Sequence, residues 1–324
     1  FRSERRDILL QRRTVPQLGG LRQDPWQNFG KVRNQGVDMS MNLNQQIGKL
    51  KLSARGTFTF TRNKILEYDE LPQKYDYQAV TGTRVSENTL YIADRLYTED
   101  DFIVSTNANG LKTYKLRSEL PRPTLGGLVG PGDIKYVDVN GDGVIDSYDQ
   151  VRGVGNPSTP EIIYGFGLNA EYKGFYASIF FQGAGNTSVL LGGATSEGWY
   201  PFSWGVDQSN YRTFALDRWT ESNPSQDVII PRLHKNNANN ANNRVASTWW
   251  LRDGSFLRLK LVELGYTVPQ KIVSKWGMSN LRLYMSSTNL FVLSKFKDWD
   301  VELAGNGLNY PLQRVFNIGV NVSF

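Results

Sequence analysis

Twelve residues near the middle of the chain have the side chains and the spacing of a calcium-binding loop. From Asp138 to Asp149, aspartate or asparagine occupies loop positions 1, 3, 5, 9 and 12, and glycine occupies position 6, where the chain must turn sharply. Ca²⁺ takes about six to eight oxygen ligands, which such a loop supplies at alternating positions. The spacing predicts a structural Ca²⁺ site with these ligands: Asp138, Asn140, Asp142, the backbone carbonyl of Val144, Asp146 and Asp149.

Two features of this loop keep an alternative open. Position 12 is Asp149 rather than glutamate, and the shorter side chain makes bidentate coordination harder. The flanking residues also do not predict a pair of helices. The alternative is a turn rich in Asp, Asn and Gly that binds no metal.

Five aromatic residues lie in polar stretches that could contact a ligand. They are Trp199, Tyr200, Trp204, Trp249 and Trp250. Sugar rings stack on exposed aromatic faces, so these side chains are candidates for contacts with a cargo or a partner protein. The alternative is a small hydrophobic core formed within the connections themselves.

Enzymatic and nucleic-acid-binding functions find little support in the sequence. The only histidine, His234, has no nucleophile motif near it, and neither Gly-x-Ser-x-Gly nor His-Glu-x-x-His occurs. We therefore expect a protein that is not an enzyme. The formal charge of +6 is spread along the chain without a recognition motif, and there is no cysteine for a disulfide or thiolate metal site.

The elements that must position these residues are predicted to be β-strands. Phe316 to Phe324 alternates apolar and polar residues with a period of two, and Val37 to Phe60 repeats the pattern on both sides of a short turn. A polar second face fits an aqueous lumen as well as the exposed side of a soluble sandwich. We predict two hairpins, Val37 to Phe60 and Phe166 to Phe181, with one apolar face that contacts lipid through Met39, Met41, Leu50, Phe58, Leu168 and Ile179.

Connection lengths favour a membrane barrel over a sandwich. Eight strands are predicted, the first at Asp7 to Arg13, and the last ends at Phe324. Short turns alternate with long connections at about 63–161, 183–255 and 293–313, as in outer-membrane barrels. The alternation slips near Leu261, which predicts a β-bulge. No run of about 18 apolar residues exists, so a membrane helix is excluded.

Several motifs in one order resemble a known family. They include Gly132-Asp133-Ile134-Lys135-Tyr136, the Asp138 to Asp146 loop, Tyr172-Lys173-Gly174-Phe175, Leu251 to Lys260 and Asn280 to Tyr284. With Tyr310-Pro311-Leu312 and the last strand, this series resembles the C-terminal region of the SusC/RagA family of TonB-dependent transporters of Bacteroidetes. The resemblance covers nearly the whole chain, and the terminal Phe324 resembles the signal read by the barrel-insertion machinery.

The resemblance implies an all-β fold: the C-terminal antiparallel strands of a transmembrane outer-membrane barrel with long extracellular loops and a periplasmic C-terminus. It implies import of oligosaccharides or peptides, a SusD-like surface lipoprotein as partner, and energy from TonB–ExbB–ExbD. The chain shows no signal peptide, plug domain or TonB box, so we expect residues 1–324 to be part of a longer polypeptide. The alternatives are a soluble or cell-surface all-β glycan-binding module and an outer-membrane enzyme.

Overall fold

The computed structural model describes residues 1–14, 20, 23–191, 213–234, 241–305, 307 and 309–324. Within these residues, eight strands form one antiparallel sheet in which each strand pairs with its neighbours in sequence order. The strands are β1 (Arg2–Gln11), β2 (Trp26–Ile47), β3 (Leu50–Glu67), β4 (Ile162–Tyr172), β5 (Phe175–Gly185), β6 (Phe256–Thr267), β7 (Asn280–Ser294) and β8 (Val315–Ser323).

The predicted alternation gives the sheet two different faces. One cross-strand row is apolar and contains Leu43, Ala54, Leu168, Ile179 and Val262. The next row belongs to the other face and is polar, with Asn44, Ser53, Asn169, Ser178, Glu263, Ser286 and Asn317. All six residues predicted to contact lipid share the apolar face, where Met41 and Leu168 remain 64% and 53% exposed.

Both predicted hairpins and the predicted bulge are confirmed. β2 pairs with β3 around Gly48 and Lys49, and β4 pairs with β5 around Lys173 and Gly174. Gly174 has a φ of +89°, and a Cβ there would lie 2.6 Å from the Thr267 carbonyl oxygen, so only glycine fits. The register of β6 shifts on both of its edges between Leu259 and Leu261, as expected for a β-bulge.

Strand boundaries differ from the prediction mainly at the ends that carry long connections. β1 begins at Arg2 rather than Asp7, and β3 continues to Glu67. The 18 residues of β3 exceed the roughly ten that cross a bilayer, and the additional residues adjoin the long connection that follows Glu67. The long connections are therefore 68–161, 186–255 and 295–314. Together with 12–25, they join the strands at the same end of the sheet.

The long connections fold together instead of forming separate loops. Short paired strands lie within them: Thr89–Leu90 with Val151–Arg152, Ala93–Leu96 with Ile134–Tyr136, Phe102–Thr106 with Lys112–Leu116, Arg122–Pro123 with Val144–Ile145, and Ser188–Leu190 with Leu251–Asp253. Short helical segments complete them: Ala241–Arg244, Asp76–Gln78, Glu99–Asp101, Ser147–Asp149, Thr213–Leu216, Thr248–Trp250 and Val301–Leu303. The turn between β6 and β7 contains Gln270–Val273 and Ser274–Trp276.

A single buried cluster joins all three long connections. Its members are Tyr91, Leu96, Ile134, Tyr136, Ile145, Val189, Leu191, Trp219, Ile230, Trp250, Phe296 and Val301. Gly132 allows close packing at one edge, since it has a φ of +87° and a Cβ there would lie 2.2 Å from the Trp219 ring. We call this cluster, with the connections that form it, the loop domain. Among the described residues, no helix is long and apolar enough to cross a membrane.

Candidate functional site

The aspartate loop has the predicted turn at its centre. Gly141 and Gly143 have φ values of +73° and +81°, a conformation that favours glycine. Asp138 accepts hydrogen bonds from the Gly141 and Gly143 N–H groups at 2.7 and 2.8 Å, and Asp142 accepts one from Val144 N–H at 3.0 Å. The loop is therefore closed by its own side chains, which offsets part of the repulsion between neighbouring carboxylates.

Asp149 closes the other end of the loop. Its side chain is fully buried, and its two oxygens accept hydrogen bonds from the Val139 and Asp146 N–H groups, each at 2.8 Å. Asp146 in turn caps the Ser147–Asp149 segment by accepting from Tyr148 N–H at 2.7 Å. Asp149 thus ties the first residues of the loop to the last.

The carboxylates of the loop are turned toward main-chain N–H groups. Among the residues that the structure describes, no group of three or more His, Cys, Asp or Glu side chains is arranged to hold a metal ion. The backbone turn fits the predicted calcium loop, whereas the side-chain oxygens would have to reorient toward a common centre. Calcium binding at Asp138, Asn140, Asp142, Val144, Asp146 and Asp149 therefore stays a prediction.

The structure gives Trp250 a core position, which does not favour its predicted contact with cargo or partner. Trp250 is 1% exposed, and its indole N–H donates to the Asn243 carbonyl oxygen at 2.9 Å. Trp249 is half-buried against the same cluster and donates to the Ile229 carbonyl oxygen at 3.0 Å. Both indoles sit where the alternative reading, a core within the connections, places them. Trp199, Tyr200 and Trp204 lie outside the described residues.

A buried polar network links two long connections and involves residues to which the sequence assigned no role. Asp133 is 1% exposed and accepts from the Gly130 N–H at 2.8 Å and from the Asn243 side-chain amide at 2.7 Å. His234 Nε2 lies 2.6 Å from the same Asp133 carboxylate. Asn243 also accepts from Ile134 N–H at 2.9 Å, so the network ties residues 130–134 to His234 and Asn243. These partners lie about a hundred residues apart, and no local pattern reveals them.

A second buried acid fastens the sheet to the loop domain. Glu161, which precedes β4, accepts from Arg62 Nε and Nη2 at 2.8 and 2.7 Å and from Arg84 at 3.3 Å. The hydrogen bond from Arg62 lowers the pKa of the Glu161 carboxyl and outweighs the opposing effect of burial. The carboxylate therefore stays charged and holds two arginines at the end of β3.

Asp69 clamps the connection that follows β1. Its carboxylate accepts from Arg12 Nε at 2.9 Å, Arg13 N–H at 2.6 Å and the Thr14 hydroxyl at 2.8 Å. Burial raises the pKa of this carboxyl, but the hydrogen bonds from Thr14, Arg13 and Arg12 lower it further, to about 2. Because the folded pKa lies below the unfolded value of about 3.9, the clamp is fully stabilising above about pH 4 and is lost as the pH falls through about 2.

Asp69→Asn is therefore expected to open this clamp at neutral pH. Tryptic cleavage after Arg12 and Arg13 at pH 7 should accelerate several-fold, since both residues lose a partner. In the unmodified protein, pepsin cleavage near Leu9 and Leu10 should rise between pH 4 and pH 2, while Asp69→Asn should show no such rise. The exposed Asp24→Asn is the control, and equal cleavage rates for all three proteins would contradict the assignment.

The polar face of the sheet carries a charged cluster near the short turns. Tyr176 donates to Glu263 at 2.8 Å and accepts from Arg282 Nε at 2.6 Å, and Arg282 also pairs with Glu263. The Arg282 guanidinium lies 4.4 Å from the centre of the Tyr176 ring. Farther along the same face, Arg55 lies over the Phe180 ring at 4.6 Å. These satisfied charges suit a water-filled interior and not a lipid-facing surface.

Comparisons with known proteins agree with the sequence motifs. No family model matches the chain. TonB-dependent receptor P26 of Formosa agariphila is 29% identical over 327 residues, and TonB-dependent receptor P3 of the same organism is 26% identical over 334 residues. These matches cover 96% and 98% of this chain but 31% of each relative, so the chain spans about a third of their length.

Solved structures show the same fold. A RagAB peptide importer in its closed-closed state superposes on all of this chain with a TM-score of 0.66 and 21% identity, and 33% of that chain is covered. A second structure, of the RagAB peptide transporter, gives a TM-score of 0.67 at 22% identity over 99% of this chain and 32% of that one. The predicted all-β fold and the resemblance to TonB-dependent receptors are both confirmed.

Proposed function

We propose that this chain is the C-terminal barrel region of a TonB-dependent transporter that imports large nutrients across an outer membrane. The observation that carries the proposal is the eight-stranded sheet with one apolar, exposed face and one polar face. A soluble protein would have to cover an apolar face of this extent, whereas a lipid bilayer covers it without further structure. The similarity to TonB-dependent receptors supports the same assignment.

In this arrangement, the two ends of the sheet have different tasks. The short turns at Gly48, Lys173 and 268–279, with Phe324, would face the periplasm, and Phe324 would serve as the barrel-assembly signal. The loop domain would face the outside. The region of the relatives that this chain does not cover would supply the plug and the contact with TonB–ExbB–ExbD. Eight strands leave two open edges, which the remaining strands of a larger barrel would pair.

A SusD-like surface lipoprotein is the proposed partner, and the loop domain is the surface to which it would bind. The cargo would be an oligosaccharide or a peptide; the RagAB structures, described as a peptide importer, support the peptide class. Trp199, Tyr200 and Trp204 are the aromatic residues still proposed to contact cargo or partner. No enzymatic role is proposed, since the relatives are named receptors.

Membrane fractionation and uptake test this proposal. The complete gene product should remain in the membrane after a carbonate wash, dissolve only with detergent, and migrate faster on gels before heating than after it. Cells that lack the gene should lose growth on one class of oligosaccharide or peptide while growing normally on the corresponding small units. Recovery of the complete protein in the soluble fraction would contradict the proposal and favour the glycan-binding module instead.

We also propose that Ca²⁺ orders the aspartate loop when it binds from outside. The spacing of the oxygen ligands and the glycine turn at Gly143 support the site, and a Kd of about 10⁻⁴–10⁻³ M would suffice in that compartment. Bound Ca²⁺ would replace hydrogen bonds to N–H groups by cross-links between Asp138, Asp142 and Asp146. The role is structural, because the loop belongs to the connection that packs against the core of the loop domain.

Chelation is expected to increase protease sensitivity near the aspartate loop and to leave the sheet strands intact. Asp142→Ala should abolish the chelator effect, because the exposed Asp142 carboxylate would be a direct ligand. Asp227→Ala, an exposed acid elsewhere in the loop domain, is the matched control. If calorimetry at millimolar Ca²⁺ detects no binding and chelation changes nothing, the loop is an Asp- and Gly-rich turn held by its own hydrogen bonds.

A further inference from the structure

A band of charged residues continues the apolar face of β1, β2 and β3 toward the loop domain. Arg2, Gln35 and Arg62 lie opposite one another in the register, and Glu4, Arg33 and Lys64 form the next row. Both rows belong to the face that carries Val37 and Phe60, since side chains two residues apart share a face. The side chains of Arg2, Arg6 and Arg33 all contact Glu4, which places Arg6 on this side as well. We call this band the outer basic band.

The height of the band matches the headgroup layer of a bilayer. Leu50 to Phe60 of β3 is about the length that crosses the hydrocarbon core. Arg62 then lies roughly 7 Å beyond Phe60 along the strand, and Lys64 roughly 13 Å beyond it. The headgroup layer adds about 5–8 Å on each side of the core, so strands tilted as in membrane barrels bring these cations to that layer.

The band has more positive charge than its own acids neutralise. Arg84, Glu87 and Glu161 adjoin the band through Arg62 and are counted with it. The basic residues are then Arg2, Arg6, Arg33, Arg62, Lys64 and Arg84, and the acidic residues are Glu4, Glu87 and Glu161. Arg6, Arg2 and Arg62 keep 66%, 57% and 53% of their side-chain area exposed. Among the described residues, exposed Lys64 has no ion-pair partner.

The same residues line a cleft that is large enough for a phosphate-bearing headgroup. The cleft has a volume of about 630 Å³, and its walls include Arg33, Gln35, Arg62, Lys64 and Arg84. Guanidinium groups bind phosphate through paired N–H donors, and lysine adds a mobile point charge. The two glutamates beside Arg84 fix its position, so one wall of the cleft is preorganised.

We propose that the outer basic band binds the phosphate groups of an anionic lipid in the leaflet that faces the outside. The apolar face directly below the cleft would hold the acyl chains, which a soluble anion lacks. The inference rests on the proposed membrane placement of the sheet but concerns a site that the transport function does not require. The bound lipid would anchor the barrel wall at the base of the loop domain.

The test uses the complete protein in nanodiscs, with bound lipid counted by native mass spectrometry. The probes are bis-phosphorylated lipid A, the same lipid after phosphatase treatment, and excess inorganic phosphate as competitor. Arg6→Gln with Lys64→Gln removes two exposed cations without orphaning a buried acid. We expect this variant to bind the phosphorylated lipid roughly 25-fold more weakly, at about fivefold for each of the two cations lost near an anionic headgroup. Lys49→Gln with Lys271→Gln removes the same charge in the short turns, at the opposite end of the strands, and this variant should bind like the unmodified protein.

Three results would overturn the inference. Equal binding of the phosphorylated and the dephosphorylated lipid would remove phosphate recognition. Equal weakening in the Lys49/Lys271 variant would show a nonspecific effect of charge, and displacement by inorganic phosphate would show a site for a soluble anion. A complete protein that fails to enter nanodiscs overturns the membrane placement itself, whereas one that enters without preference for the phosphorylated lipid overturns only this site.

Discussion

Replacing Ile179 with arginine is expected to destabilise the assembled barrel by about 2–4 kcal/mol and to lower the amount of folded protein in the membrane. Ile179 lies in the middle of β5, between Leu168 on β4 and Val262 on β6, in the apolar row that crosses the sheet. An arginine at this depth would place its charge in hydrocarbon, where no described neighbour on that face could pair with it. The cost falls as a charge moves toward the interface, so the midpoint of the strand is the most sensitive position.

Ser178→Arg is the matched control for this prediction. Ser178 is the preceding residue on the same strand but belongs to the polar face, opposite Glu263, where a new arginine would remain hydrated. Unfolding in urea from detergent or lipid, followed by the gel-mobility shift on heating, gives the free-energy difference for each variant. Equal destabilisation by Ile179→Arg and Ser178→Arg would mean that the two faces do not differ in environment, and the membrane assignment would fail.

The sheet could be predicted from the sequence because its signals are local. Side chains alternate with a fixed period of two, so the pattern around Met39 and Phe58 defines both the strands and the face that each residue occupies. Even the bulge near Leu261 left a visible slip in the alternation. Strand ends were less certain: β3 continues to Glu67 because it stays paired with β2 as far as Lys31. Ile65 N–H also donates to the Thr83 carbonyl oxygen, a partner eighteen residues away.

The loop domain could not be predicted from the sequence because its stabilising contacts are not local. Asp133 meets His234 and Asn243 across about a hundred residues, and the asparagine-rich stretch around Asn243 looks like an unstructured polar loop. In the structure, Asn242 and Asn243 are buried, and their side chains satisfy the carbonyl and N–H groups of Ile134. Tryptophans in polar segments suggested a binding surface for the same reason, since nothing local shows which side chains the other connections cover.

The aspartate loop lies between these two cases. Its glycine turn follows from the sequence alone, because Gly143 stands where the backbone needs a positive φ. The hydrogen bonds by which the buried Asp149 closes the loop do not follow from the spacing, and the nearby Ile145 belongs to the core of the loop domain. Asp149, a proposed ligand, therefore also stabilises the loop without metal. Substitutions at the exposed Asp142 test metal binding with less effect on that stabilisation than substitutions at Asp149.

Replacing Trp250 with alanine is expected to cost about 3–5 kcal/mol and to unfold much of the loop domain while the sheet stays folded. Trp250 is one of the largest buried side chains in the cluster that joins all three long connections, and it is 1% exposed. The Trp250 backbone N–H donates to the Ser247 carbonyl oxygen, and the Trp250 carbonyl oxygen accepts from the Leu191 N–H, so the backbone at this residue is also fixed. Removing the indole leaves a cavity and an unpaired Asn243 carbonyl oxygen.

Hydrogen exchange resolved by region measures this effect. In Trp250→Ala, protection should fall at Leu96, Ile134 and Ile145 and remain unchanged in β4 and β5. Trp250→Phe keeps a buried ring and loses the hydrogen bond to the Asn243 carbonyl oxygen, so it should cost less, about 1–3 kcal/mol. Leu128→Ala removes a side chain that is 87% exposed in the connection 68–161 and should change nothing. If Trp250→Ala instead weakens cargo or partner binding with exchange rates unaltered, Trp250 acts at a binding surface and its core assignment is wrong.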